Sequence, residues 1–281
     1  ISSELKGASS EQPVCLEIVG EIPAGYTYCG RLKNGSAIKI MTGAPIPEGA
    51  DAVVPIEYTK AEGKLVKVFR GVKEKENIRY KGEDVTRGKV VIAKGKKLSP
   101  VDIGMLAAQN LHTVSVAKAP SVSILATGDE IIDIGEELSP GKIRDINSYS
   151  LYASVIKYGG IPVRLGIAKD NKDAICKSIE KGLNSDILLI SGGVSVGDYD
   201  FVKEVLIEKG VNIKFWKVAI KPGKPTLFGV KGNTLVFGLP GNPISTLVTF
   251  REFVLPAMFK MQGRIDNPVV ERYAVLESDI S

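Results

Sequence analysis

The sequence predicts an α/β multidomain protein, with a β-rich N-terminal module over 1–88, a small linking segment over 89–115 and an α/β domain over 116–266. Three observations lead there. Over residues 12–92 short β-branched runs alternate with Gly/Pro turns. Near residue 99 a strong helix start interrupts them. From about 114 strands alternate with amphipathic helices, the pattern of a mostly parallel sheet covered on both faces.

In the β-rich module the strand candidates are VCLEIVG, AIKIM, ADAVVPIE, KLVKVF and KVVIA. In GKKLSPVDIGMLAAQN, Ser99 is placed as helix N-cap, Pro100 at the first helical position and Asp102 at the capping-box position. Then follow VSILAT, NSYSLYASVIKYGG, IPVRLGIA, NKDAICKSIEKG, DILLIS, YDFVKEVLIEKG and NIKFWKVA, strand and helix in turn. Asn147 and Asn171 are N-cap types, Ile175 and Ile179 share a face, and Gly159, Gly182 and Gly210 are helix terminators. TLFGV and TLVFGL flank Lys231, Gly232 and Asn233 as a hairpin. A long apolar helix is expected from about Ile244 to Gln262, and a β-like stretch, VVERYAVL, follows Gly263.

Composition narrows the chemistry. With 281 residues, 44% apolar and 25% charged, the chain has ordinary globular composition and length for two or more cores. No apolar run approaches the roughly 18 residues of a membrane helix, and ISSELKGASS lacks a signal-peptide layout, so no membrane role and a cytoplasmic location are expected. Three cysteines without a CxxC pair suggest neither a disulfide framework nor a thiolate zinc site. A single histidine, His112, argues against imidazole-dependent zinc sites and Ser-His-Asp triads. The net charge of +5 leans toward anionic partners, but without a dense basic run carrying aromatics no nucleic acid is expected.

In an open parallel sheet ligands bind beyond the carboxyl ends of the strands, so the loops leaving those ends are the candidates. LATGDE sets Asp129 and Glu130 beside Gly128; hard carboxylates suit a magnesium ion bridging to phosphate, and a helix-capping turn is the plain alternative. SGGVSVGD offers Ser191, Gly192, Gly193 and Ser195 as a backbone cradle for an anion, with Asp198 and Asp200 at its far end; such glycine-rich turns also arise from packing alone. IKPGKP presents Lys221 and Lys224 on a segment stiffened by Pro222 and Pro225, which suits a small oxyanion better than a solvated turn does. GLPGNPIS, with Pro240, Gly241, Asn242, Pro243 and Ser245, is either an anion-binding helix entry or an ordinary one. Thr42, Arg79 and Asp84 lie in turn-rich segments to which chemistry alone assigns no role. Together the loops fit a phosphorylated small molecule, a second oxyanion and a hard cation.

The strings MTGAPIPEGADAVV, GEDV, ATGDE, SGGVSVGDYD, KPGKP and GLPGNPIS, in this order, resemble the molybdopterin molybdenumtransferase family, which includes the matching domain of gephyrin. The likeness covers nearly the whole chain. It implies a β domain, a linking domain, an α/β domain related to molybdopterin adenylyltransferases and, from 267–281 onward, the start of a C-terminal β barrel. It also implies an N-terminal segment with an SxMDGY motif before Ile1. Members bind adenylylated molybdopterin and molybdate, cleave the phosphoanhydride with Mg2+ or a similar divalent cation, and release AMP and molybdenum cofactor.

Carried over position by position, the resemblance implies catalytic roles for Thr42, Asp84, Glu130, Asp170, Asp200, Lys217 and Lys221. Molybdate would be held by Lys221, Lys224, Pro225 and Ser245, with Pro240 and Pro243 as the turn prolines, and the cation by Glu130 and Asp200. It further implies a homodimer in which the site is shared between subunits. A non-catalytic scaffold like gephyrin's and an adenylyltransferase acting one step earlier are the rival readings. Retention of the acidic and lysine loops argues against the first, and the β module with KPGKP against the second.

Overall fold

The structure is a computed structural model and describes residues 1–193, 201–266, 272–275 and 277. The chain forms two compact units, Ile1–Val91 and Ile92–Ser281.

The first unit is built on a four-stranded sheet in the order β2-β1-β4-β3: β1 is Val14–Ile22, β2 Ser36–Ile40, β3 Thr59–Glu62 and β4 Leu65–Val68. Its small core joins Leu5, Leu16, Val68 and Val72. Two expected strands do not form. In ADAVVPIE the backbone of Val53 pairs with a loop instead: its N–H donates to Glu76 O at 3.1 Å and its carbonyl accepts from Asn77 Nδ2 at 2.8 Å. Pro55, which has no N–H to offer a ladder, closes the segment. KVVIA is bounded by Gly88 and Gly95, both at positive φ, and Val90 is exposed, so it meets no partner edge.

The second unit opens with α1, Pro100–Ala108, and its capping box is the expected one. Ser99 Oγ accepts from Asp102 N–H, the Asp102 carboxylate accepts from Ser99 N–H at 2.9 Å, and Lys96 Nζ donates to it at 2.6 Å. The Lys96 ammonium, with the Ser99 N–H and hydroxyl, holds the buried Asp102 carboxyl at about 2, against an ordinary 3.8. Above the unfolded-chain value the carboxylate is ionised in both states and its contribution is complete. As pH falls from about 4 to about 2 the unfolded chain takes the proton first and the contribution is lost. We expect Asp102→Asn to lower the urea midpoint at neutral pH and to match the parent near pH 2; a difference that persists there would contradict it. Ser99→Ala should cost about 1 kcal/mol in the same experiment.

The sheet of this unit is six-stranded, in the order β10-β11-β12-β9-β5-β8. Strands β5 (Ser121–Thr127), β8 (Ile161–Ala168), β9 (Ile187–Ser191) and β12 (Thr234–Leu239) run parallel, while β10 (Asn212–Phe215) and β11 (Leu227–Lys231) pair antiparallel at one edge. A short pair, β6 (Ile131–Ile132) with β7 (Ile143–Arg144), branches from the end of β5. Strand β9 is buried along its whole length, which explains its unbroken ILLI run: Ile187 and Leu189 enter one core, Leu188 and Ile190 the other. Helix α2 (Asn147–Lys157) covers the first face, through Leu151 and Val155. Helices α3 (Lys172–Gly182) and α4 (Phe201–Glu208) cover the second. Asn171 caps α3, accepting from Ala174 N–H at 2.8 Å, and Lys231 and Thr234 close the β11–β12 hairpin, both as the sequence predicts.

The long apolar helix is interrupted. Helix α5 (Pro243–Thr249) gives way to a π-helical turn at Phe250–Val254 and resumes as α6 (Leu255–Met261). Pro256 explains the widening, because it lacks an N–H and its ring would clash with the carbonyl four residues back. Of the β-like stretch after Gly263 only 272–275 are described, without strand structure.

Candidate functional site

Strand order reverses between β5 and β9, since the chain leaves β5 toward β8 on one side and returns to β9 on the other. That switch opens a crevice beyond the carboxyl ends of the two strands. The register sets Ala126 beside Ser191 and Ser191 beside Leu239, so the segments that follow, Gly128–Glu130, Gly192–Gly193 and Pro240–Asn242, emerge side by side.

The glycines are required there. Gly192 has φ +88°, and a Cβ on it would lie 2.6 Å from the Thr127 carbonyl oxygen; on Gly193, at φ +60°, it would lie 2.7 Å from Thr127 Oγ1 and 2.8 Å from Val202 Cγ2. The turn backbone is thereby pressed onto the end of β5, and Gly192 N–H donates to Leu239 O at 3.2 Å, tying it to β12 as well. Thr127 Oγ1 is buried and has no hydrogen-bond partner among the described residues. Ser195, Asp198 and Asp200 lie outside the described residues.

On the other side of β5, Asp129 and Asp170 brace two loops reciprocally: Asp129 N–H donates to Asp170 Oδ2 at 3.1 Å and Asp170 N–H to Asp129 Oδ1 at 3.2 Å. Lys142 Nζ donates to the Asp129 carbonyl at 2.6 Å. Glu130 is exposed, and its carboxylate folds back over Gly128, whose φ of +141° and lack of Cβ make room for it. These carboxylates bring hard oxygen donors and no nitrogen or sulfur. Among the described residues no three acidic, His or Cys side chains converge to hold a metal unaided. Such a set suits a hard cation whose remaining positions are filled by phosphate oxygens and water, as is usual for magnesium.

The lysine loop reaches the same edge through the antiparallel strands, because Leu227 pairs with Gly238 and Phe215 with Phe228. Lys217, Lys221 and Lys224 are exposed and Pro225 half-buried. The loop is held by its own backbone: Val218 N–H and Thr226 N–H both donate to Lys224 O at 3.0 Å, and Thr226 Oγ1 to Gly223 O at 2.6 Å. A Cβ on Gly223 would lie 2.6 Å from Thr249 Cγ2, so this segment rests on α5. Asn242 caps α5, its Oδ1 accepting from Ile244 N–H at 3.1 Å and Ser245 N–H at 3.3 Å. Ser245 and Pro240 are buried, and Thr246 Oγ1 donates to the Pro240 carbonyl; Gly241, Asn242 and Pro243 are exposed.

In the first unit, Thr42 is exposed in a turn closed by Ala44 N–H to Met41 O at 2.9 Å, with Gly43 at φ +84°. Asp84 is exposed and paired with Arg79 at 3.2 Å.

One expectation changes. Asn147 does not cap α2; Asp145 does, accepting from Ser148 N–H at 2.9 Å. The freed Asn147 carboxamide turns toward the crevice, where Nδ2 donates to Ser191 Oγ and to the Gly241 carbonyl, each at 2.8 Å. The only sequence signal for this is a second cap-type residue, Asp145, two positions upstream.

Comparison with known proteins finds relatives along nearly the whole chain. Residues 1–109 match the family model described as MoeA N-terminal region (domain I and II), and 123–260 the one described as probable molybdopterin binding domain. A curated molybdopterin molybdenumtransferase from a Nostoc strain is 40% identical over 264 residues, covering 92% of this chain and 61% of the relative. One from Haemophilus influenzae is 40% identical over 256 residues, covering 90% and 63%. The crystal structure of a molybdopterin biosynthesis MoeA protein from Pyrococcus horikoshii superposes with a TM-score of 0.80 at 36% identity, covering 99% of this chain and 69% of that one. The chain thus spans about three fifths of the length of the curated relatives.

Proposed function

Because the chain belongs to the molybdopterin molybdenumtransferase family, we propose that it inserts molybdate into adenylylated molybdopterin, releasing AMP and molybdenum cofactor. The observation that carries this reading is the convergence, at one end of one sheet, of a glycine turn, a carboxylate loop and a lysine loop. An adenylylated substrate needs the first for its phosphates and the second for a cation, and a dianionic oxyanion needs the third.

In this reading the Ser191–Gly193 turn and the Pro240–Asn242 turn hold the phosphate and pterin end of the substrate, and Asp129 and Asp170 fix the loop that carries Glu130. A divalent ion held by Glu130 and Asp200 would neutralise charge building on the phosphate of the departing AMP. Lys221 and Lys224, with Pro225 and Ser245, hold molybdate beside the pterin sulfurs, Lys217 keeps the catalytic role that the family likeness gives it, and Pro243 stiffens the turn that presents Ser245. No side chain serves as covalent nucleophile. Thr42 and Asp84 are assigned catalytic roles on the family likeness alone.

The same reading includes a cytoplasmic homodimer, a linking segment over 89–115 and a C-terminal barrel beginning in 267–281. Sedimentation of the protein would read the first of these, and a monomer would remove it. No helix among the described residues is long and apolar enough to cross a membrane.

The test is AMP release from adenylylated molybdopterin by the full chain, with and without molybdate and Mg2+, following molybdenum transfer to the pterin. Release that needs both is expected. Tight binding without release would replace the transferase with a binding role.

A further inference from the structure

We propose that Asn147 is a positioning residue for this site: its carboxamide clamps the end of β9 to the Pro240–Gly241 turn and sets the direction of the hydrogen-bond donors on both. The inference rests on the reading above and names a residue which that reading does not use.

The geometry is specific. Asn147 Nδ2 spends both its protons on acceptors that belong to different segments, Ser191 Oγ at the end of β9 and Gly241 O in the turn after β12, 44 and 94 positions away in sequence. Each contact has a consequence for a ligand. With a lone pair of Ser191 Oγ already engaged, that hydroxyl is left to donate its own proton outward. Holding the Gly241 carbonyl also fixes the trans peptide plane it shares with Asn242, so the Asn242 N–H points away from Asn147. One side chain thereby aims two donors, one at the end of β9 and one in the turn after β12.

The remaining polar atom, Asn147 Oδ1, is buried and accepts no bond from another described residue, so the carboxamide's protein contacts are the two that its Nδ2 makes to Ser191 and Gly241. The base beneath it is held by contacts of its own, with Asp145 Oδ2, Ser148 Oγ and Arg164 Nε buried and without a hydrogen-bond partner among the described residues. Asp145 caps α2 at Ser148, Arg164 lies 3.6 Å from Asp145 and 3.1 Å from Asp133, its guanidinium sits 4.0 Å over the Tyr149 ring, and Tyr149 OH donates to Asp133 at 2.8 Å. Position 147 is therefore fixed by neighbours that do not need its carboxamide.

The experiment uses Asn147→Ala, Asn147→Asp and Ser191→Ala, singly and as the Asn147→Ala/Ser191→Ala double variant. Each is assayed by AMP release from adenylylated molybdopterin with molybdate and Mg2+, beside the parent protein and a melting curve. A misplacement of about 1 Å in a reacting geometry costs on the order of 100-fold, and that is the loss in kcat/KM expected for Asn147→Ala, with the melting temperature held. Asn147→Asp, of the same shape but without donors, should fall at least as far. The double variant should lose less than the product of the two single losses, because both remove the same bond.

Near-parent kcat/KM in Asn147→Asp, or losses that simply multiply in the double variant, would overturn the proposal. So would a loss that merely tracks a fallen melting temperature. If the parent itself releases no AMP, the functional reading fails instead, and the clamp is then judged by whether Asn147→Asp weakens AMP binding as probe.

Discussion

Glu130→Gln is expected to leave the protein folded and to slow AMP release by about 100- to 1000-fold, the range seen when one preorganised electrostatic partner of a developing charge is removed. The side chain is exposed, and what anchors its loop does not involve its carboxylate: Ile143 N–H donates to Glu130 O at 2.8 Å, and Asp129 and Asp170 exchange backbone N–H to carboxylate bonds. None of these is lost with the charge. Raised Mg2+ should restore part of the rate, since a carboxamide still offers a weak oxygen donor. Unchanged release at limiting Mg2+ would remove Glu130 from the chemistry, and a collapse of the melting temperature would recast it as structural.

Gly192→Ala should be the most damaging single-methyl change in the crevice. The new Cβ would lie 2.6 Å from the Thr127 carbonyl oxygen, which belongs to a buried strand and has nowhere to move, and φ there is +88°. Left-handed strain of about 1–2 kcal/mol adds to overpacking of about 1–3 kcal/mol. Gly135→Ala is the matched control: φ is +90° but nothing lies within 4 Å of the added methyl, so the strain alone remains. Urea midpoints of the two variants should separate by the overpacking share. Equal midpoints would mean that the turn at 192 yields without loss, and the close approach to β5 would then not be what shapes it.

How much of this was legible beforehand follows from the kind of signal each element carries. Strand β9 announces itself because burial on both faces forces an unbroken apolar run, and α1 because capping is local. ADAVVPIE carries the same β-branched composition, yet whether such a run becomes a strand depends on a partner edge, and here a distant loop takes Val53 instead. The loops of the site are legible because Gly and Pro mark special backbone wherever they occur. Asn147 carries no such mark: its residue type suits a helix cap, and only the tertiary fold shows Asp145 in that role and Asn147 bridging Ser191 to Gly241. Thr127 is similar, being an ordinary strand residue until Gly193 closes over its hydroxyl. Local rules reach caps and turns; bonds across 44 or 94 positions do not show in any window.

That sequence separation also bears on biosynthesis. A ribosome delivers β5 long before the turn at Pro240–Gly241, and β12, which pairs directly with β9, arrives after α3 and α4 have been made. Until residue 241 has left the exit tunnel the clamp has one arm only, and the crevice has no third wall. A nascent chain halted between β9 and β12 would thus present an apolar strand edge at β9 rather than a binding site, the kind of edge that engages chaperones. Competence for ligand should therefore appear abruptly during synthesis, once the second half of the sheet has zipped onto the first.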